Sequence, residues 1–187
     1  NAMAADAAGA VTDLFGGQDD LRRGVIRCVG DPAARFSEDA LRMLRALRFA
    51  ARLSFRIDGE TAAAIHAARI RLRAVAPERL HKELSGILCG RQAAALLEEF
   101  SDVLFELIPE LAPCQGFRQY NPHHTRDVWT HTLAVVDGVP PEEPLRLAAL
   151  LHDAGKPATF FFDKNLVGHF YGHPAAGAAV TEEVLRR

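Results

Sequence analysis

The chain has 187 residues, 49% hydrophobic and 25% charged, with a formal net charge of −2, the composition of an ordinary globular protein that fills one or two small cores without staples. Cys28, Cys89 and Cys114 are odd in number, far apart and free of any Cys-x-x-Cys spacing, which argues against a disulfide framework and for buried or incidental thiols. No apolar run reaches the roughly 18 residues a membrane helix needs, and the alanine-rich start has no basic segment of a secretory signal, so cytoplasm is the expected location.

Residues 1–12 read as a disordered lead, with Asn1-Ala2-Met3 resembling a cloning remnant before a first methionine. Val25 to Val29 reads as a short strand, the one departure from helix in an otherwise all-α expectation. Charge is unevenly spread. Asp20 to Arg91 carries 15 basic against 8 acidic residues, a balance of +7, and the remainder 7 against 16, a balance of −9. The first half is therefore the expected polyanion face. Of the 22 basic residues only 82, 156 and 164 are Lys; the Arg forks suit phosphate and base edges.

Arg35 to Ala50 is the most informative stretch. Ser37 reads as the N-cap of a helix whose first turn holds Glu38 and Asp39, acids suited to its positive end. At about 100° per residue, with Arg42 as zero, Glu38 falls near 320°, Asp39 near 60°, and Arg45, Arg48 and Arg52 near 300°, 240° and 280°. Met43, Leu44, Leu47, Ala50 and Ala51 form the apolar back. A carboxylate accepts and a guanidinium donates, so an Asp39/Arg42 pair matches a base edge offering an amino donor beside an unprotonated ring nitrogen, as cytosine and adenine both do. Uracil and guanine oppose it, leaving buried groups unpaired at roughly 1 to 3 kcal/mol each. The alternative is a solvated face carrying Glu38/Arg42 and Asp39/Arg42 ion pairs.

Asp13-Leu14-Phe15-Gly16-Gly17-Gln18-Asp19-Asp20-Leu21, then Val25 to Pro32, then Arg35-Phe36-Ser37-Glu38-Asp39-Ala40-Leu41-Arg42 resembles, in order and spacing, the bacterial tRNA nucleotidyltransferase (CCA-adding enzyme) and poly(A) polymerase family. The resemblance implies that Glu38, Asp39 and Arg42, with Arg45 beside them, bind the incoming CTP or ATP. It also implies a catalytic head with a Gly-Gly phosphate cradle and an Asp-x-Asp pair holding Mg²⁺ or Mn²⁺. Neither is in this sequence: Gly16-Gly17 lies in the connecting segment 13–36, and Asp19-Asp20 are adjacent. The expectation is a fragment of a longer enzyme that does not polymerise alone.

Further along, Asp58 or Thr61 opens a second helix through Ala62, Ile65, Ala68 and Leu72, and Pro77 opens a third with the stripe Leu80, Leu84, Ile87 and Leu88. Gln92 to Phe100 and Val103 to Ile108 continue the helical pattern until Pro109. Residues 37–112 are thus a helical bundle, the family's neck and body, expected to grip an RNA 3′ end such as that of tRNA. Arg48, Arg52, Arg69, Arg71, Arg73, Arg79 and Lys82 are the candidate backbone contacts, with a solvated surface as the alternative for each. His66 and His81 read as structural.

Turn formers between Pro113 and Pro122 mark the expected boundary. Beyond it, His123-His124, then Val128-Trp129-Thr130-His131, then Leu147 to Lys156 with His152-Asp153, resemble the HD phosphohydrolases. His131, His152 and Asp153 can converge on one divalent cation, and the mixed donors leave Mn, Mg, Ni, Zn and Fe open. Such a metal acidifies a water and polarises a phosphate oxygen, with Lys156 steadying the anion and His169 and His173 as accessory groups. The closing Asp of that pattern does not appear before Arg187, and Asp163 precedes His169, so an incomplete site is expected in the domain 123–187. Trp129 reads as a core anchor, and Phe160-Phe161-Phe162 as a short buried strand or loop before a turn at Asp163. Three functions follow: the template, neck and HD portion of an RNA 3′-end nucleotidyltransferase; a metal-dependent phosphohydrolase; or a non-catalytic RNA-binding arm. Oligomeric state is not legible.

Overall fold

The computed structural model describes residues 3–121 and 125–187, so His123 and His124 lie outside the described residues. The chain divides into two compact units, Asn1–Gln92 and Ala93–Arg187. Both are built of helices with two-stranded ribbons only, and the all-α expectation holds.

In the first unit, β1 (Met3–Ala5) and β2 (Val11–Asp13) form an antiparallel hairpin where a disordered lead was expected. Asp6 ties its turn by accepting the amides of Ala8 and Ala10 at 2.9 and 2.8 Å. Asp13 then caps α1 (Gly17–Arg23), taking the amides of Gly17 and Gln18 at 2.8 and 2.9 Å. The expected strand exists as β3 (Val25–Ile26), paired in parallel with β4 (Arg56–Ile57).

The helix expected from Ser37 is instead two. Asp31 accepts the amides of Ala33 and Ala34, Pro32 occupies the first turn, and α2 runs Pro32–Glu38 with Ser37 inside it. An Asp-Pro start satisfies first-turn amides and presets φ, which outcompetes a lone serine five residues on. Asp39 is extended at φ −149°, and its Oδ1 accepts the Leu41 amide at 3.1 Å as α3 (Leu41–Leu53) begins. A short carboxylate bonding its own neighbouring backbone is how Asp interrupts helices. The apolar back of α3 is as expected: Met43, Leu44, Leu47, Ala50 and Ala51 are buried.

Asp58 caps α4 (Gly59–Ala68), a 3₁₀ turn Arg69–Ala74 buries Leu72, and Pro77 opens α5 (Pro77–Leu88). Packing of α3 on α5 is the main contact of the unit. Gly90, just past α5, lies so close to Ala51 that a Cβ would overlap its backbone.

The second unit holds α6 (Ala93–Glu99), α7 (Ser101–Leu107), a 3₁₀ turn Pro109–Cys114, α8 (Val128–Gly138), α9 (Glu143–Leu151), α10 (Lys156–Thr159), the ribbon β5 (Phe161–Phe162) with β6 (Gly168–His169), and α11 (His173–Arg186). Here α6 packs on α8, and the compact division falls after Gln92. Trp129 is the expected core anchor, 1% exposed and edge-on to Phe105 at 5.3 Å. Phe161 and Phe162 are not buried, at 42% and 46% exposure. No helix of the described residues is long and apolar enough to cross a membrane.

Candidate functional sites in the two units

The break at Asp39 gathers the acid and arginine side chains of the first unit. Glu38 Oε2 accepts from Arg42 Nη1 at 2.5 Å and from Arg35 Nη1 at 2.8 Å, while Arg42 Nη1 also donates to the Arg35 carbonyl at 3.1 Å. The hydrogen bond from Arg42 holds the Glu38 carboxyl below its usual range against the opposing effect of burial, with the charge of Arg35 adding to it. Asp39 is held separately, by the Leu41 amide and by Arg79 Nη2 at 3.4 Å. These side chains face outward, with Glu38 50%, Arg42 35% and Asp39 31% exposed. Arg35, Arg42 and Arg45 line an open cavity of about 760 Å³ whose apolar wall includes Phe36, Phe49 and Phe55.

The remaining basic candidates separate. Arg45, Arg52, Arg71, Arg73, Arg79 and Lys82 are exposed. Arg48 is not on the outward face. Its Nε contacts the largely buried Glu83 at 2.6 Å, its guanidinium lies 4.6 Å from the Phe49 ring centre, and Gly86 leaves room for its stem. The apposed α5, through Glu83 and the space above Gly86, holds this residue against the fold, where a free helix would present it to solvent. Arg69 donates to the His66 carbonyl at 2.5 Å.

In the second unit, one ligating atom each of His131, His152 and Asp153 lies within 4.8 Å of the others. Asp127 starts α8 by capping Thr130, which sets His131 one turn into that helix. His152 ends α9, and its Nδ1 meets the Ala149 carbonyl at 2.8 Å, so that nitrogen carries the proton and Nε2 is turned to Asp153 Oδ2 at 3.1 Å. His173 repeats the arrangement: Nδ1 on the Phe170 carbonyl at 2.8 Å, Nε2 3.8 Å from Asp153 Oδ1. His131 Nε2 is 3.6 Å from Asp153 Oδ2. Burial alone would raise the Asp153 carboxyl, but hydrogen-bonding and charge from His152 and Lys156 outweigh it and hold the group well below the carboxylate range. His152 is correspondingly raised, chiefly by Asp153.

Lys156 is buried, its ammonium 2.8 Å from Asp153 Oδ2 and 2.9 Å from Gln119 Oε1. It faces the carboxylate rather than an open anion subsite. Gln119, 2% exposed and anchored through Nε2 to the Arg126 carbonyl at 3.0 Å, is the residue that sequence reasoning passed over. Within a run of turn formers nothing marks it as a buried partner of Lys156. His169 is bound to Asp163 Oδ2 at 3.2 Å and is not part of the cluster. Imidazole nitrogens preset by backbone carbonyls around one ionised carboxylate form a donor set that fits a divalent transition metal.

Residues 54–114 match the family model described as "Probable RNA and SrmB- binding site of polymerase A", and residues 123–187 match that of the HD domain. The chain thus carries a helical segment matched by a polymerase RNA-binding family model, followed by a segment matched by the HD-domain model. All of the chain aligns with the A-adding tRNA nucleotidyltransferase of Deinococcus radiodurans, 36% identical over 200 residues and 45% of that protein. It likewise aligns with the multifunctional CCA protein of Pseudomonas aeruginosa PAO1, 39% identical over 198 residues and 47% of its length. The structure of the Thermotoga maritima CCA-adding enzyme complexed with tRNA superposes on 73% of this chain and 37% of its own, with TM-score 0.53 and 26% identity. The chain is thus similar along its whole length to bacterial tRNA nucleotidyltransferases. It spans about half or less of the length of the curated relatives it matches.

Proposed function

We propose that this chain is the template, neck and HD portion of an RNA 3′-end nucleotidyltransferase that adds C, A or both from CTP and ATP to tRNA in the cytoplasm. The carrying observation is the outward-facing set at the helix break. Glu38 fixes Arg42, which lines the arginine-walled cavity, through a short ion pair, and Asp39 stands apart on its own anchors, leaving a donor and an acceptor on the outward side of the helix break. Arg42 donates to an unprotonated ring nitrogen and Asp39 accepts from an exocyclic amino group, the pattern that cytosine and adenine share. Arg45, Arg52, Arg71, Arg73, Arg79 and Lys82 supply exposed charge for RNA phosphates. Complexes of structural neighbours with CTP and with tRNA support the same assignment. The test is nucleotide addition by the intact enzyme of which this chain is a part: Asp39→Ala should lower addition of both C and A by about fivefold to 160-fold, since each unmet group costs on the order of 1 to 3 kcal/mol. Undiminished addition of either nucleotide by that variant overturns the template assignment.

A second reading is favoured by the histidine cluster. His131, His152, His173 and Asp153 would hold one divalent ion, with Mn, Mg, Ni, Zn and Fe all compatible with the donors. Such an ion supplies an acidified water and a polarised phosphate oxygen for phosphoester hydrolysis. Among the chain's own groups, Asp153 stays ionised as the anionic anchor, the Ala149 and Phe170 carbonyls orient the imidazoles, and Gln119 holds Lys156 against Asp153.

A further inference from the structure

The ribbon of β5 and β6 is aromatic on both faces. Residues directly opposed in an antiparallel pair share a face, and Phe161 is opposed to His169. On one face, Phe160, Phe162 and Phe170 cluster with Phe117 and Tyr120, Phe162 and Tyr120 keeping an exposed edge, and Lys156 Nζ lies 5.3 Å from the Phe170 ring centre. Outward, Phe161, His169 and Tyr171 stand together with centroids 5.2 to 5.6 Å apart, and His169 is tilted only 27° and 30° from its two neighbours. Tyr171 is 74% and Phe161 42% exposed. The outward rings do not fill the core, yet they are held firmly. Asp163 binds the imidazole of His169 and also accepts the amides of Asn165 and Val167, closing the turn beneath it.

We infer that Phe161, His169 and Tyr171 form a stacking platform for a nucleobase, the base of a nucleotide whose phosphate ester lies at the histidine–aspartate cluster. The molecule offers a place for both halves of that ligand. Tyr171 is two residues from His173, so their Cα atoms are at most about 7.6 Å apart, within the span of one nucleotide, and His173 faces Asp153. The His169 and Tyr171 rings, stacked at 27° and flanked by Phe161, present a π-face that any base can cover, so the platform selects nucleotides over sugar phosphates without selecting sequence. The phosphate half rests on the phosphoester reading above; the base half does not.

The probes are 2-aminopurine ribonucleoside 3′-phosphate, whose fluorescence is quenched on stacking, and base-free ribose 5-phosphate, each titrated into the 187-residue chain with Mn²⁺. Quenching by the native chain is expected. Phe161→Ala with Tyr171→Ala should weaken nucleotide binding about tenfold and leave ribose phosphate binding unchanged, with helicity by circular dichroism as the check on folding. Tyr171→Phe should restore the native affinity. Absence of quenching, equal nucleotide affinity in the double variant, or a double variant that only dissociates a dimer in sedimentation, overturns the platform. His152→Ala separates the two readings: loss of ribose phosphate binding supports the metal site, whereas unchanged sugar-phosphate binding with persistent quenching removes the phosphoester reading and leaves the platform standing.

Discussion

At the scale of single residues, the decisive feature is which arginines the fold has already committed to partners of its own. Arg48 sits on the same helix as Arg45 and Arg52, three and four residues away, yet it is committed to Glu83 and to the space above Gly86. Arg42 is outward but already oriented by Glu38. That ion pair makes a pH prediction with a definite sign. The folded-state pKa of Glu38 is depressed below its ordinary 4.5, so its contribution to stability is present above that value and lost as pH falls through the lower folded one. A side-chain NMR titration of Glu38 should therefore show a midpoint below 4.5, moving back toward it in Arg42→Ala. An unmoved midpoint in that variant would mean that Arg42 does not hold the carboxylate.

At the scale of elements, two local decisions build the sites. Asp31-Pro32 starts a helix early enough to put Ser37 in its interior and leave Asp39 at a break, which lifts the acidic pair out of a regular helical face. In the second unit, α11 carries His173 toward Asp153 because its backbone comes directly against Gly155. A Cβ there would overlap the amide of Gly177 and the carbonyl of His173, both backbone atoms that do not swing aside. Gly155→Ala should thus destabilise the fold by about 1 to 3 kcal/mol through overpacking, lowering the thermal midpoint and shifting the imidazole NMR signals of His173. A variant with native midpoint and native His173 signals would show that this close approach does not position the helix.

At the scale of the whole molecule, the two compact units should lose protection separately. Leu44 and Leu150 are each about fully buried, one in each unit, and truncating either leaves a cavity costing roughly 2 to 5 kcal/mol. Amide exchange should accelerate within 3–92 for Leu44→Ala and within 93–187 for Leu150→Ala; acceleration of both regions by either variant would show one cooperative unit instead. Periodicity and stop signals were enough to read the helical class, the apolar back of α3 and the starts of α4 and α5, because those depend on spacing within a short stretch of chain; His131, His152 and Asp153, whose ligating atoms lie within 4.8 Å, were singled out through the resemblance to HD phosphohydrolases. The inward turn of Arg48, the Lys156–Gln119 contact, the convergence of His173 and the outward aromatic face were decided only by tertiary structure. Each depends on which residue distant in sequence stands opposite, and a side chain's own spacing carries no information about the partner that packing will bring to it.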